Sequence, residues 1–99
     1  MVPVSFHYWA GARAAAGMAG ETVEAASVAQ ALSEIFRQRS DPYFERVVRA
    51  STLLIDGSAA RESALDTVLE RGVEVEVLPP FAGGSRQQLR ISLRIRASS

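Results

Sequence analysis

The sequence predicts an α+β fold, in which a mixed sheet of four to five strands packs against one main helix. Apolar and polar residues alternate with period two over residues 4–8 and 73–77, as in half-buried strands. Between them, the apolar residues of the segment 28–36 recur at helical spacing. Short apolar runs bounded by turn residues supply the remaining strands. A sheet with its helix on one face is the usual α+β arrangement.

The first strand is predicted over residues 4–9, where Val4, Phe6 and Tyr8 fall on one face. Aromatic and β-branched residues favour strands. His7 lies on the opposite face, and the chain has neither a cysteine nor a second histidine to join it. Because metal sites need three or more ligands, we interpret His7 as an ordinary strand-face residue and predict no metal site.

The segment that follows is ambiguous. Residues 10–20 are almost all alanine and glycine, and their pattern is consistent with either a short helical turn or a loop. Residues 21–24 predict a second strand, the hairpin partner of the first.

The main helix begins at a capping box formed by Ser27 and Gln30. The serine hydroxyl is expected to accept from the N–H of residue 30, and the glutamine to reach back to the N–H of Ser27. One apolar face then runs along the helix through Val28, Leu32, Ile35 and Phe36. The pair 41–42, Asp-Pro, ends the helix, and residues 43–50 predict a further helical turn.

Two more strands complete the pattern. Residues 52–55 predict a third strand, which the Asp56-Gly57 turn closes. A short helical segment is predicted around Leu65, Val68 and Leu69. The most regular strand, 73–77, ends at Pro79-Pro80, because proline lacks the N–H that a sheet requires. This order, with the last strand placed centrally beside the first, favours the β-grasp (ubiquitin-like) fold.

Composition excludes several classes of function. The 99 residues contain no cysteine and no lysine, which excludes disulfides, thiol catalysis and Schiff-base chemistry. No segment predicts a membrane span or a signal peptide, so we expect a cytoplasmic protein. Residues 1–84 carry seven arginines and eleven acidic residues, and the segment 85–99 carries four arginines and no acid. The acidic body favours a basic protein partner over nucleic acid.

The stretch 77–84 carries the functional signal. It reads Val-Leu-Pro-Pro-Phe-Ala-Gly-Gly, a strand followed by a rigid diproline, an apolar anchor and two glycines. The diproline keeps the chain extended. Glycines lack side chains, so their backbone can enter a narrow channel and the carbonyl of a terminal glycine is unhindered.

These residues resemble the MoaD/ThiS sulfur carriers, and most closely the small subunit of molybdopterin synthase. The resemblance covers residues 4–84. It rests on the last strand and its exit, 73–84, and on the first-strand exit 8–13, where an aromatic-Ala pair precedes an arginine. The helix start at Ser27 and the turn at 56–57 also fall at the family's positions.

The resemblance implies a mechanism in which other proteins perform the chemistry. A ubiquitin-activating-like adenylyltransferase uses ATP and Mg to adenylate the C-terminal glycine, and sulfur then displaces AMP to leave a thiocarboxylate. The carrier binds no cofactor and delivers sulfur to the synthase large subunit, which acts on a pterin precursor. Here Gly84 corresponds to the sulfur-bearing residue and Gly83 to the residue that enters the channel. The implied docking arm consists of Pro79, Pro80, Phe81 and Ala82.

The chain departs from the family after Gly84, because fifteen further residues leave that glycine without a free carboxylate. The sequence therefore predicts a carrier domain, 1–84, and a basic extension, 85–99. Three explanations are open: a processing protease removes the extension, the extension is an artefact of cloning or annotation, or the protein has lost carrier function. The extension alternates apolar and cationic residues over 89–96, so we hypothesise that it adds to a sheet edge.

Several functional alternatives stay open. The carrier could serve cysteine or thiazole synthesis instead of molybdopterin synthesis, or the domain could be a β-grasp binding module that keeps its extension. Trp9 fits equally a partner-docking aromatic and a peripheral core residue. Arg13 fits either partner contact or ordinary solvation. The chain shows no phosphate-binding loop, nucleophile elbow or dinucleotide fingerprint, so we do not expect an independent enzyme.

Overall fold

A computed structural model describes residues 1–80, which form one mixed sheet with helices on one of its faces. The strands are, in chain order, β1 (Val2–Tyr8), β2 (Gly20–Ala25), β3 (Thr52–Ile55), β4 (Ser58–Ala59) and β5 (Val73–Leu78). The helices are α1 (Ala10–Ala16), α2 (Val28–Arg39), α3 (Pro42–Ala50) and α4 (Glu62–Leu65). Within this part of the chain no helix combines the length and apolarity that a bilayer crossing requires.

The strands lie in the order β2-β1-β5-β3-β4. β1 pairs antiparallel with β2, and parallel with β5, with Val4 opposite Val73 and Tyr8 opposite Val77. β3 pairs antiparallel with β5 on its other side. The last strand therefore takes the centre of the sheet beside the first. This β-grasp arrangement confirms the predicted fold.

The core lies between the helices and one face of the sheet. The alternation in β1 and β5 buries every second residue, because successive side chains point to opposite faces. These inward residues are Val4, Phe6, Tyr8, Val73, Val75 and Val77. α2 and α3 cover them with Val28, Ala31, Ile35, Phe44 and Val48, all of which are buried.

The alanine-rich segment forms a helix, α1, which resolves the ambiguity left by its sequence. Its buried residues are Ala12 and Ala16, whose small side chains lie in the core. The helix ends at Gly17, whose φ of 73° is a left-handed conformation that glycine adopts without strain.

α2 begins as predicted at Ser27, whose side chain accepts from the N–H of Gln30 at 3.1 Å. The reciprocal bond differs from the expected capping box, because the Gln30 side chain accepts from the N–H of Ala26 at 2.6 Å and not from that of Ser27. The helix ends at Ser40 in a left-handed conformation, with φ of 50°.

The later helices differ from their predicted lengths. α3 is a nine-residue helix, longer than a single turn, because Asp41 caps it by accepting from the N–H of Phe44 and Pro42 fits its first position. α4 ends at Leu65, so Val68 and Leu69 lie outside it. The prediction of one helical segment through all three apolar residues is wrong.

Candidate docking site at the exit of the last strand

The chain leaves the sheet at the end of β5, next to the end of β1. Because the two strands are parallel neighbours, their carboxyl ends lie side by side at the same end of the sheet. The N–H of Trp9 donates to the carbonyl of Val77 at 3.3 Å, which ties the start of α1 to this exit. Pro79 and Pro80 then carry the chain away from the sheet, since neither residue can donate to a neighbouring strand.

The exposed residues at this exit include two that the sequence predicted as partner-binding. Trp9 is 48% exposed, so about half of this residue is covered, as in a peripheral core residue, and about half is open to a partner. Pro80 is exposed and Pro79 is half-buried. An apolar ring and two rigid prolines therefore face solvent where the family's docking arm would begin.

Arg13 lies apart from the diproline. It is exposed on α1 and lines a shallow depression whose other wall includes Gly17 and Met18. The diproline instead lines a different groove, so the structure does not bring Arg13 and the prolines into one site.

A groove of about 310 Å³ lies between the diproline and α3. α3 lines the groove with Tyr43 and Val47 among others, and α1 contributes Gly11. Tyr43 is 58% exposed, and the Arg46 guanidinium lies 5.9 Å from the centre of its ring. Sequence reasoning missed both residues. The signal that could have found them is the helical spacing of Phe44 and Val48, which turns the remaining positions of α3 outward.

Four predicted site residues lie outside the residues that the structure describes. They are Phe81, Ala82, Gly83 and Gly84, and the extension 85–99 lies outside as well. Their proposed roles stay predictions.

His7 lies on the open face of the sheet, where its Nε2 is 2.5 Å from the Oε1 of Glu74 on the neighbouring strand β5. Both side chains are about half exposed. Within residues 1–80 no three potential metal ligands come together. An exposed cross-strand pair is sufficient to explain this contact.

A polar cluster beneath the sheet joins four elements, and sequence reasoning missed it. The hydroxyl of Tyr8 donates to Glu21 at 2.6 Å, and Arg39 donates to the same carboxylate at 3.1 Å. Arg39 also donates to the carbonyl of Ala16 at 3.0 Å and lies over the ring of Phe44. Burial, together with the hydrogen bond to Glu21, raises the pKa of Tyr8 far above its usual range. The phenol is thus held protonated as a structural donor.

The described residues combine a polar cluster under the sheet with an exposed apolar surface at the exit of β5. The buried polar cluster fixes the helices against β1 and β2, and its tyrosine is kept protonated by burial. The exit beside Trp9 is open and apolar. This geometry suits a domain that offers its C-terminal segment to another protein.

Comparison with known structures shows the same architecture. The chain is 25% identical to small archaeal modifier protein 1 from Haloferax volcanii, with a TM-score of 0.65, covering 83% of this chain and 99% of that one. It is 25% identical to a protein from Pyrococcus furiosus described as a putative molybdopterin converting factor subunit 1, with a TM-score of 0.64, covering 82% and 100%.

A third similar structure contains two subunits. It is the complex of subunits 1 and 2 of the molybdopterin-converting factor from Helicobacter pylori, 16% identical, with a TM-score of 0.59, covering 83% of this chain and 99% of the matched chain. At that identity the likeness shows the fold alone.

Sequence comparison gives the family. No curated protein sequence matches the chain. A model of the ThiS family matches residues 7–84, which include the end of β1, the whole of β5 and the two glycines. This match covers well over half of the chain and ends at Gly84, and the structural neighbours share its fold. The chain therefore belongs to the ThiS family.

Proposed function

We propose that this protein is a sulfur carrier that works as a thiocarboxylate on Gly84, after residues 85–99 are removed, and donates sulfur in molybdopterin biosynthesis. One observation carries the proposal. In a chain of the ThiS family, β5 leads through Pro79-Pro80 to two glycines at which the family match ends. The open apolar exit beside Trp9 supports a role in which partner proteins receive that segment.

The proposed chemistry has three steps. Hydrolysis of the Gly84–Ser85 peptide bond by a processing protease releases the carboxylate. An adenylyltransferase then joins this carboxylate to the AMP portion of ATP, with Mg, and pyrophosphate leaves. A sulfide ion attacks the glycine carbonyl, AMP leaves, and the product is a thiocarboxylate. None of these steps requires an acid or base from the carrier.

The proposed receiving partner is the large subunit of a molybdopterin synthase. The complex from Helicobacter pylori, in which subunit 1 is bound to subunit 2, supports this choice. In our proposal Trp9 and the groove lined by Tyr43 and Pro80 contact the partner's surface, while Phe81 to Gly84 enter its channel. Apolar area at the exit would supply the binding energy, because aromatic residues dominate most interfaces.

The test is the intact mass of the carrier after reaction. A chain ending at Gly84 is incubated with its cognate adenylyltransferase, ATP, Mg and a sulfur donor. We expect a mass increase that corresponds to the exchange of one oxygen for sulfur. The matched control ends at Gly83, which shortens the tail by one residue and should react poorly. An unchanged mass for the chain ending at Gly84 would contradict the proposal.

The pathway is tested by adding candidate acceptor systems to the charged carrier. Sulfur transfer to a pterin precursor by the synthase large subunit supports molybdopterin synthesis. Transfer only in a cysteine-forming or thiazole-forming system supports those alternatives. If cells contain only the full-length form, the domain acts as a binding module with its extension retained.

A second candidate function is protein modification, favoured by the 25% identity to small archaeal modifier protein 1. The Gly84 carboxylate would then form an amide with an amine of another protein. This chain has no lysine, so the only amine that it could offer to itself is its N-terminus. Conjugates of higher mass that disappear when Gly84 is deleted would support this function over sulfur transfer.

A further inference from the structure

The sheet has two outer edges of very different length. β2 forms one edge with six residues, Gly20–Ala25, and β4 forms the other with two, Ser58–Ala59. An exposed strand edge carries main-chain donors and acceptors that can pair with another strand. Of the two edges formed by residues 1–80, only the β2 edge is long enough to pair with a strand of ordinary length.

We propose that the outer edge of β2 binds residues 89–95 of this same chain, which add to the sheet as a sixth strand. These residues alternate between an apolar face, Leu89, Ile91, Leu93 and Ile95, and a polar face that carries Arg90, Ser92 and Arg94. That alternation is typical of a strand with one covered face and one wet face. The β2 edge offers matching surroundings on both sides.

The main chain of β2 is available for this pairing. β1 and β2 pair antiparallel, and the N–H of Tyr8 donates to the carbonyl of Ala19 at 2.8 Å. In antiparallel pairs, hydrogen-bonded positions alternate along the strand. Counting from Ala19, the main chains of Glu21 and Val23 face β1, and those of Thr22 and Glu24 face outward. The outward groups can therefore pair without disturbing β1.

The charges favour β2 over β4. Glu24 is exposed on the open face of the sheet, and Thr22 lies on that face too, bonded to Ser5. One arginine of the added strand would lie beside Glu24, and its apolar residues would lie on the helix side, next to the half-buried Val23. β4 is followed closely by Arg61, which would repel a cationic strand.

The connecting segment is long enough. The end of β5 and the start of β2 lie at the same end of the sheet. This follows because β5 runs parallel to β1, and β1 runs antiparallel to β2. The added strand lies three strand spacings from β5, or about 14 Å. The eight residues 81–88 can span up to about 26 Å. The added strand would run parallel to β2, away from this exit.

The docked strand has a consequence for processing, and this step alone rests on the proposed function. Gly83 and Gly84 would lie within the connecting segment, which crosses the end of the sheet next to Trp9. The Gly84–Ser85 bond would then be held in a short loop between two ordered strands. A protease would act on this loop, and the strand 89–95 would leave the β2 edge afterwards.

The test measures hydrogen exchange of backbone amides in the full chain and in its Leu93→Asp variant, which places a charge on the apolar face. We expect the N–H groups of Thr22 and Glu24 to exchange slowly in the full chain and about tenfold faster, or more, in the variant. The amide of Val75, in the central strand, should be equally protected in both and so report an intact fold. The matched control is Ser98→Asp, which adds the same charge outside the alternating run and should leave Thr22 protected.

A second variant tests the charge argument. Glu24→Arg should speed the exchange of Thr22 in the full chain, whereas Glu45→Arg, on α3, should not. Equal exchange of Thr22 in the full chain and the Leu93→Asp variant would overturn the proposal. So would protection that appears at residues 58–59 instead, or protection that grows with protein concentration, which would place the strand on a second copy. Loss of sulfur transfer with Thr22 still protected would count against the proposed function only.

Discussion

At the residue scale, Arg39 links α2 to α1 and to β2. Its guanidinium satisfies the carboxylate of Glu21 and the carbonyl of Ala16, and its side chain is only 19% exposed. We predict that Arg39→Met lowers the free energy of unfolding by about 1–3 kcal/mol, because the carbonyl of Ala16 loses its Arg39 donor and the partly buried carboxylate of Glu21 loses its cation, keeping the hydroxyl of Tyr8 as donor. The matched control is Arg37→Met on the same helix, whose pair with Glu34 is exposed to solvent, so the variant should change stability much less than Arg39→Met. Urea denaturation measures the free energy of unfolding of both variants. Equal losses would show that the Arg39 contacts stabilise the fold no more than an exposed ion pair does.

The pKa of Tyr8 gives a second prediction at this scale. Burial and the bond to Glu21 raise it above the value of about 10 that a tyrosine has in an unfolded chain. The unfolded state therefore loses its proton first, and stability should fall as the pH rises above about 10. In a Tyr43→Phe variant, Tyr8 is the remaining tyrosine, and its phenolate absorbance should appear only together with unfolding. Phenolate absorbance at full retention of the folded circular-dichroism signal would contradict this.

At the scale of elements, two glycines should respond with opposite signs. A Cβ on Gly20 would overlap the main-chain carbonyl of Phe6, so Gly20→Ala must displace β1 from β2. We expect a loss of about 1–3 kcal/mol. A Cβ on Gly11, in α1, would meet nothing closer than Pro79 Cγ at 3.9 Å, so Gly11→Ala should stabilise by up to about 1 kcal/mol. Chemical denaturation compares the two, and a stable Gly20→Ala variant would mean that the strands sit farther apart than described.

The elements also show how far the sequence alone could lead. The alternation of β5 and the serine cap of α2 are local signals, and both predicted the right structure, although the Gln30 side chain bonds to Ala26 and not to Ser27. The helix α1 could not be predicted, because alanine and glycine give no apolar periodicity and its packing against the core decides its form. The role of Arg39 could not be predicted, because nothing in the sequence brings this residue near Glu21 and Tyr8. The sequence motif predicted the docking arm. The position of Tyr43 next to the diproline could not be predicted, because only the folded chain brings α3 close to the exit of β5.

At the scale of the whole molecule, one end of the sheet should make the partner contact. Trp9 is the single tryptophan, and it is half exposed at the exit of β5. We predict that Trp9→Ala weakens binding of this protein to the proposed partner, a synthase large subunit, by about tenfold or more, as for an interface aromatic. Isothermal titration calorimetry measures this, and the fold should survive because the side chain lies outside the core.

The control for that prediction is Val68→Ala. Val68 is also an exposed apolar residue, at 73%, but it lies near the start of β5, at the opposite end of the sheet. Binding should be unchanged. If the two variants lost the same binding affinity, the partner would have to contact both ends of the sheet, or any exposed apolar residue would contribute equally to binding.

The central position of β5 has a consequence for how the chain is made. Synthesis delivers β1 to β4 before β5, so a growing chain holds two separate pairs of strands with the gap between them unfilled. Chains emerge N-terminus first and domains fold as units, so this one cannot fold on the ribosome until Val73–Leu78 has left the exit tunnel. A product truncated anywhere before Val73 would expose the apolar faces of both pairs and become a target for chaperones or proteases. The strand that leads to the diproline is thus also the strand whose arrival completes the sheet.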